Sequence, residues 1–323
     1  MMRGVIACVA ALWCAGAAAA GATQEALDWL AKVSSASQRL SYAGTFVYQA
    51  GRTTETSRIT HISDATGEYE RLETLDGPPR EIVRANGDVR FYLPAERVVI
   101  TDRAVQRRFP AWALVSPEHL IANYSARLGP VEKIAGMSAR QIVMEPRDGM
   151  RYGHAFWVEP ASGLMLKSRT MDATGATVEQ FVFSEVTVGG VIERDKVRSR
   201  FASTASEWRE LNVRGEPAKL QDSGFHCNLQ VPGFRQVSVV KRQIKGSGSE
   251  AFHLVFSDGL ATMSAFVETV AADKAPPVVG ESLAGPTRIY KRVLGGKYLV
   301  TAMGEVPAEA VRRLAESIEV RDK

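Results

Sequence analysis

Between Tyr42 and Ile100 the chain repeats one unit, a short β-branched or aromatic run followed by a polar turn, with no helix-length apolar pattern between. That pattern confines the region to an antiparallel sheet. Strands are expected at Tyr42–Tyr48, Arg58–Ser63, Glu68–Thr74, Arg80–Arg84, Val89–Leu93 and Arg97–Thr101. Asn86-Gly87 is the sharpest hairpin signal, since both residues tolerate the left-handed backbone a two-residue turn needs. Asp76-Gly77-Pro78-Pro79 marks another turn, and Gly44 admits close backbone approach within the first strand.

Two helices should pack on this sheet. In the segment 24–35, Ala26, Leu27, Leu30 and Val33 fall on one helical face. Ser116-Pro117-Glu118 combines a capping Ser, a Pro at the first helical position and an early acid. Leu120, Ile121, Tyr124 and Leu128 then form a stripe that Gly129-Pro130 should end. The preceding Arg107–Val115 segment, with Phe109, Trp112 and Leu114, reads as a loop with aromatic anchors. Period-two patterning resumes from Val131 to Val188, making roughly ten strands in all. A sheet that long must curl, because a flat one leaves exposed edges and an unburied face.

Composition shifts at 199–224, where Ser, Thr, Glu, Arg, Pro and Lys dominate, and this stretch is expected to be an interdomain linker. Beyond it, runs at Gln236–Ile244, Ala251–Phe256, Ala261–Val267, Arg288–Leu294 and Lys297–Met303 read as a second, small antiparallel sheet. Pro307 should open a closing helix whose buried stripe is Val311, Leu314, Ala315 and Ile318. The fold class is therefore α+β. Its parts are a large curved antiparallel sheet wrapped around helices (23–198), a linker (199–224), and a small sheet with a C-terminal helix (225–323).

Residues 1–22 stand apart. Arg3, the apolar run Val5–Ala15 and the small residues Ala18–Ala22 make a secretory signal that is cleaved on export. The run is short for a membrane anchor, and Trp13 before Cys14 argues against lipoprotein processing. Removal of Cys8 and Cys14 leaves Cys227 as the sole thiol, which excludes an internal disulfide.

Candidate chemistry is sparse. The 40 basic and 36 acidic residues are intermixed, giving +4, and no basic run interleaves with aromatics, so nucleic acid is not an expected partner. His61, His119, His154, His226 and His253 show no metal-ligand spacing, and there is no nucleophile elbow, phosphate loop or dinucleotide fingerprint. Gly295-Gly296-Lys297 is a turn, lacking the upstream glycine and the following Ser or Thr of a phosphate loop. No enzyme activity, cofactor or metal is expected. What stands out is aromatic: Phe46, Tyr48, Phe91, Tyr92, Phe156, Trp157, Phe181 and Phe183 lie on strands of a sheet too curved to fill its own concave side, which suits an acyl-chain ligand.

Four segments, Tyr42-Ala-Gly-Thr-Phe-Val-Tyr48, Arg58-Ile-Thr-His61, Glu68-Tyr-Glu-Arg-Leu-Glu73 with Leu75-Asp-Gly-Pro-Pro-Arg-Glu81, and Gly304-Glu-Val-Pro307, carry a family resemblance across essentially the whole mature chain. It resembles the RseB/MucB periplasmic regulators of the envelope-stress sigma factor in Gram-negative bacteria. The resemblance implies a large domain similar to the lipoprotein carriers LolA and LolB, a half-barrel, and a smaller C-terminal domain. It also implies a non-catalytic periplasmic protein that binds the periplasmic part of a membrane-anchored anti-sigma factor of RseA or MucA type. That protein would shield its partner from the site-one protease and be released by lipid or lipopolysaccharide.

Arg288, Tyr290 and Lys291 on one small-domain strand are the expected partner surface, since Tyr and Arg are enriched among binding hot spots. The oligomeric state is left open, with a homo-oligomer among the options. Two rival readings share the apolar cavity: a lipoprotein carrier, which needs no second domain, and an exported hydrolase, which needs two convergent titratable groups.

Overall fold

The computed structural model describes residues 24–103, 117–243, 250–270 and 277–321. The signal segment and the Arg107–Val115 loop lie outside the described residues, as does Gly246–Ser249, where the sequence suggests a hairpin turn between the Gln236–Ile244 and Ala251–Phe256 runs. A first helix, α1 (24–39), buries Ala26, Leu27, Leu30, Val33 and Ala36, the expected stripe extended by one turn. It leads into β1 (Tyr42–Ala50), followed by β2 (Thr53–Asp64), β3 (Gly67–Thr74), β4 (Glu81–Ala85), β5 (Asp88–Leu93) and β6 (Val98–Arg103). Each expected strand in this stretch is present within a few residues. The turn residues explain why: Asn86 sits at φ 56°, and both carboxylate oxygens of Asp76 accept from the Thr56 amide at 3.0 Å.

One helix expectation is corrected. A helix does begin at Pro117, α2 (Pro117–Asn123), with Ser116 outside the described residues, but Tyr124 opens a strand, β7 (Tyr124–Ile134), so Tyr124 and Leu128 belong to the sheet. Their spacing also fits period two with Ala126 between them, and the pairing of β7 with β8 (Met137–Pro146) decides in favour of the strand. Gly129-Pro130 falls at the bulge between Leu128 and Val131, bending β7 where a helix stop was expected. Then follow β9 (Gly153–Val158), β10 (Met165–Met171) and β11 (Thr177–Val188).

Among the described residues these strands join β12 (Arg209–Asn212) in one twelve-stranded sheet, in the order β12-β6-β5-β4-β3-β2-β1-β11-β10-β9-β8-β7. Strands four places apart in a flat sheet are about 19 Å apart. Here Cα atoms of β7 and β11 approach within 8 Å, so this end of the sheet curls on itself. Gly44 is required by the curvature, because a Cβ there would lie 2.5 Å from the Glu185 carbonyl oxygen and 2.8 Å from the Phe183 ring.

The stretch 199–224 carries the chain from one sheet to the other, yet it is not a free tether. Glu81, fully buried, accepts the Arg200 amide at 3.1 Å and forms an ion pair with its guanidinium at 3.0 Å. β12 pairs in parallel with β6, and only three residues later β13 (Glu216–Pro217) pairs with β15 (Arg235–Gln243) of the second sheet. That sheet has the order β13-β15-β16-β17-β20-β19-β18, with β16 (Glu250–Ser257), β17 (Thr262–Thr269), β18 (Gly280–Ala284), β19 (Thr287–Leu294) and β20 (Tyr298–Gly304).

Helix α3 (Ala308–Glu316) follows Pro307 and buries Ala310, Val311, Leu314 and Ala315 against this sheet. Ile318, expected on the helix, lies instead on β21 (Ile318–Val320), which pairs with β14 (Phe225–Cys227). The protein is thus mostly β, a large open sheet with a small one and a C-terminal helix.

Candidate functional site

Strand register sorts the eight aromatic candidates by face, since consecutive strand residues point opposite ways. Tyr48, Phe181, Ser168, Phe156 and Ile142 are in line across five strands, and Phe46 pairs with Phe183 beside them. Phe46, Phe181 and Phe183 form a tight ring cluster, with centroids 4.7 Å (Phe46–Phe181) and 5.0 Å (Phe181–Phe183) apart, and with Phe156 they pack into one core with α1. These four rings fill the core. Tyr48, half-buried at its margin, donates to Glu179 Oε2 at 2.7 Å.

Two of the eight lie on the opposite face of their strands, although Trp157 is itself buried in the same core cluster. Trp157 pairs with Gln141 and Lys167 on the opposite face from Phe156, with the Lys167 ammonium 4.2 Å from its ring centroid. Burial, then the nearby Arg169 charge, holds the Lys167 pKa below its ordinary value. Tyr92 pairs with Glu81 and Val99 on the outer face that Arg200 covers, opposite its neighbour Phe91. Adjacent pairs of rings cannot line one cavity. Sequence reading missed this because it took aromatic content as the signal and ignored parity.

What remains half-open on the inner face is a row of which sequence reading singled out only Phe91. Ile59, Leu72, Ile82, Phe91 and Ile100 are mutual neighbours across β2 to β6, and all but Ile59 are only partly buried. The next row carries four polar side chains, His61, Glu70, Arg84 and Asp102, with Val89 between the last two. His61 accepts no free role there; it stacks on Tyr42 at 5.1 Å and bonds the Leu40 carbonyl at 2.7 Å and Glu68 at 3.2 Å. Burial alone would lower its pKa, but the bonds to Glu68 and Leu40 and the Glu70 charge outweigh it and the net shift is upward.

On the small domain, Arg288 pairs with Leu283 and Tyr290 with Glu281, whereas Lys291 pairs with Gly280 and so faces the other side of the sheet. Arg288 and Tyr290 come together with Leu283, Ile289, Ala308 and Val311 around a pocket of about 200 Å³ between β18, β19 and the start of α3. Glu281 at its rim is engaged by Arg312 at 2.6 Å. Among the described residues β18 ends the sheet, and its outer backbone groups have no strand partner there. Beside it Val278, Val279 and Leu283 are 84%, 56% and 58% exposed.

The histidines are all engaged structurally: His119 with the Gly233 carbonyl at 2.8 Å, His226 with Glu319 at 2.9 Å, and His253 with Ser264 at 3.0 Å over the Phe266 ring. His154 stacks on Phe156 and lies 3.4 Å from Thr170 Oγ1. Among the described residues no three His, Cys, Asp or Glu side chains are grouped to hold a metal ion. No helix there is long and apolar enough to cross a membrane. Cys227 lies 3.2 Å from Ser317 Oγ, and burial raises its thiol pKa.

A curled sheet with an apolar inner face, joined to a small sheet with an open edge and a pocket, defines a two-domain binding protein. The chain belongs to the MucB/RseB family: the family's N-terminal domain matches residues 25–201 and its C-terminal domain residues 219–319. The resemblance read from the four sequence segments is therefore borne out.

Among relatives, the sigma factor AlgU regulatory protein MucB of Pseudomonas aeruginosa is 29% identical over 303 residues, covering 91% of this chain and 90% of the relative. The sigma-E factor regulatory protein RseB of Escherichia coli is 24% identical over 302 residues, covering 93% and 92%. Among solved structures, the Pseudomonas aeruginosa MucA/MucB complex aligns with a TM-score of 0.72 at 27% identity, covering 93% of this chain and all of that one. A crystal structure of MucB with MucA(peri) aligns at 0.69, also at 27% identity, covering 92% of this chain and 99% of that one.

Proposed function

We propose that this chain is a periplasmic negative regulator of an envelope-stress sigma factor, without catalytic activity of its own. It binds the periplasmic part of a membrane-anchored anti-sigma factor, shields it from site-one proteolysis, and lets it go when lipid or lipopolysaccharide occupies the large domain. One observation carries the reading: both halves of the chain match the family, and the aligned relative is structured as a complex with MucA.

Local geometry supports a division of labour. The open edge of β18, the apolar Val278, Val279 and Leu283, and the Arg288–Tyr290 pocket suit a partner segment that adds main-chain bonds and seats a side chain. The half-open Leu72–Ile82–Phe91–Ile100 row suits a lipid tail.

Calorimetric titration of the full chain with the periplasmic anti-sigma segment tests the proposal. Binding that protects the segment from the protease is expected. Arg288→Glu should weaken it at least tenfold, about 1.4 kcal/mol. Unchanged affinity in that variant would remove Arg288 from the partner surface, and no binding by the parent chain would remove the reading itself.

A further inference from the structure

The two domains meet through a buried polar contact that the proposed surfaces do not use. Arg151, in the turn between β8 and β9, is 2% exposed, and Asp258, in the β16–β17 turn, is 0% exposed. Arg151 Nη1 donates to Asp258 Oδ2 at 2.6 Å, and the Tyr124 hydroxyl donates to the same oxygen at 2.9 Å. The other guanidinium nitrogens are held by Asp148, at 3.0 and 3.1 Å, and by the Pro232 carbonyl. Asp258 Oδ1 meanwhile accepts the amides of Leu260 and Ala261, at 3.0 and 2.8 Å, which shapes the turn. The turn presents Leu260, and among the described residues Leu260 is the small-domain side chain that packs into the core of the large domain.

A carboxylate on a cation and a phenol, followed by an aliphatic group pushed into an apolar core, has the chemistry of an anionic amphiphile. The receiving groups are all on the large domain. If the turn withdrew, Arg151 would lose one counter-ion, the core would lose an aliphatic plug, and both vacancies would adjoin. One nitrogen there has no hydrogen-bond partner among the described residues: Nε2 of His154, which is 8% exposed, packs 6.1 Å from the Tyr124 ring and feels the Asp258 charge, while its Nδ1 faces Thr170 Oγ1.

We propose that the Asp258–Leu260 turn is a built-in pseudo-ligand, occupying a site formed by Arg151, Tyr124 and the end of the large-domain core, and that an anionic single-chain lipid competes with it there. The inference rests on the reading that the large domain takes lipid, and it assigns that lipid an entry point and a headgroup partner. Filling the site and seating the small domain are then mutually exclusive, so lipid unlatches the two domains without any contact to the partner surface.

The test uses the full chain with dodecanoate as probe and dodecyl maltoside as uncharged control. Asp258→Asn keeps an acceptor oxygen for the turn while placing an amide against Arg151 and Tyr124, so it weakens the latch and spares the turn. Leu260→Ser removes the aliphatic half alone. Both should raise dodecanoate affinity at least tenfold over the parent chain, with a larger radius of gyration in Asp258→Asn. Arg151→Met added to Asp258→Asn should abolish the gain for dodecanoate and leave dodecyl maltoside unaffected. Dodecanoate binding that is indifferent to all three changes overturns the site and leaves the lipid reading standing. A protein that binds neither probe in any form overturns both.

Discussion

At the scale of single residues, the two inward histidines of the large domain titrate in opposite senses. Burial pushes His154 down to about 4 from an ordinary 6.5, against which the Asp258 charge works only partly. Between those values the unfolded chain binds a proton that the folded one refuses, so this contribution to stability is complete above pH 6.5 and is lost as pH falls toward 4. Its size is up to about 3 kcal/mol.

His61, raised in the fold, contributes stability below its unfolded pKa that is lost as pH rises through its folded pKa, and Glu179, raised by burial and then by the Glu305 charge, acts in that same sense at more acid pH. His154→Phe keeps an aromatic ring stacked on Phe156 and removes only the first term. Urea midpoints measured from pH 7 to 4 should fall less steeply in the variant than in the parent. Parallel curves would show that His154 does not carry the acid sensitivity.

Among the elements, β12 is where composition and structure part. Its residues Arg209, Glu210, Leu211 and Asn212 have no apolar alternation, because an edge strand held by one ladder and facing solvent needs none. The bonds are there nonetheless: Arg209 N donates to the Arg97 carbonyl at 3.0 Å and Val213 N to the Thr101 carbonyl at 2.9 Å, while Thr101 Oγ1 donates to Glu210 at 2.7 Å. Replacing both Arg209 and Val213 by Pro removes those two donors. Limited trypsin digestion should then cut at Arg214 at least ten times faster than in the parent chain, and an unchanged rate would mean that the strand is not what protects this crossing.

Most β1–β6 bounds were legible because Asn86-Gly87, Asp76-Gly77 and the alternating runs are local signals. The end of α2 was not, because Tyr124 fits both the helical and the strand period, and only its pairing with Pro146 on β8 resolves the choice. The candidate site was legible in part. Arg288 and Tyr290 do share a pocket, but the opposite facing of Lys291, Trp157 and Tyr92 depends on register, and the Arg151–Asp258 pair joins residues 107 apart in the chain.

For the whole molecule, the polar contact at the domain junction and the partner surface on β18 are far apart in the sheet order, so any influence of one on the other must pass through the seating of the small domain. A buried ion pair of this kind adds little net stability over an apolar substitute, since desolvation offsets most of the Coulomb gain, yet separating its partners costs far more, so it favours the seating in which Arg151 and Asp258 meet.

Thermodynamic linkage then sets a quantitative demand. If dodecanoate lowers the affinity for the anti-sigma segment by some factor, bound segment must lower dodecanoate affinity by the same factor. Titrations run in both orders should return equal factors, on the order of 5 to 150 for couplings of about 1 to 3 kcal/mol. In Asp258→Asn, where the latch is weakened, the factor should fall, because lipid then displaces a less firmly seated state. A factor that survives this substitution unchanged would place the coupling in contacts other than the Arg151–Asp258 junction.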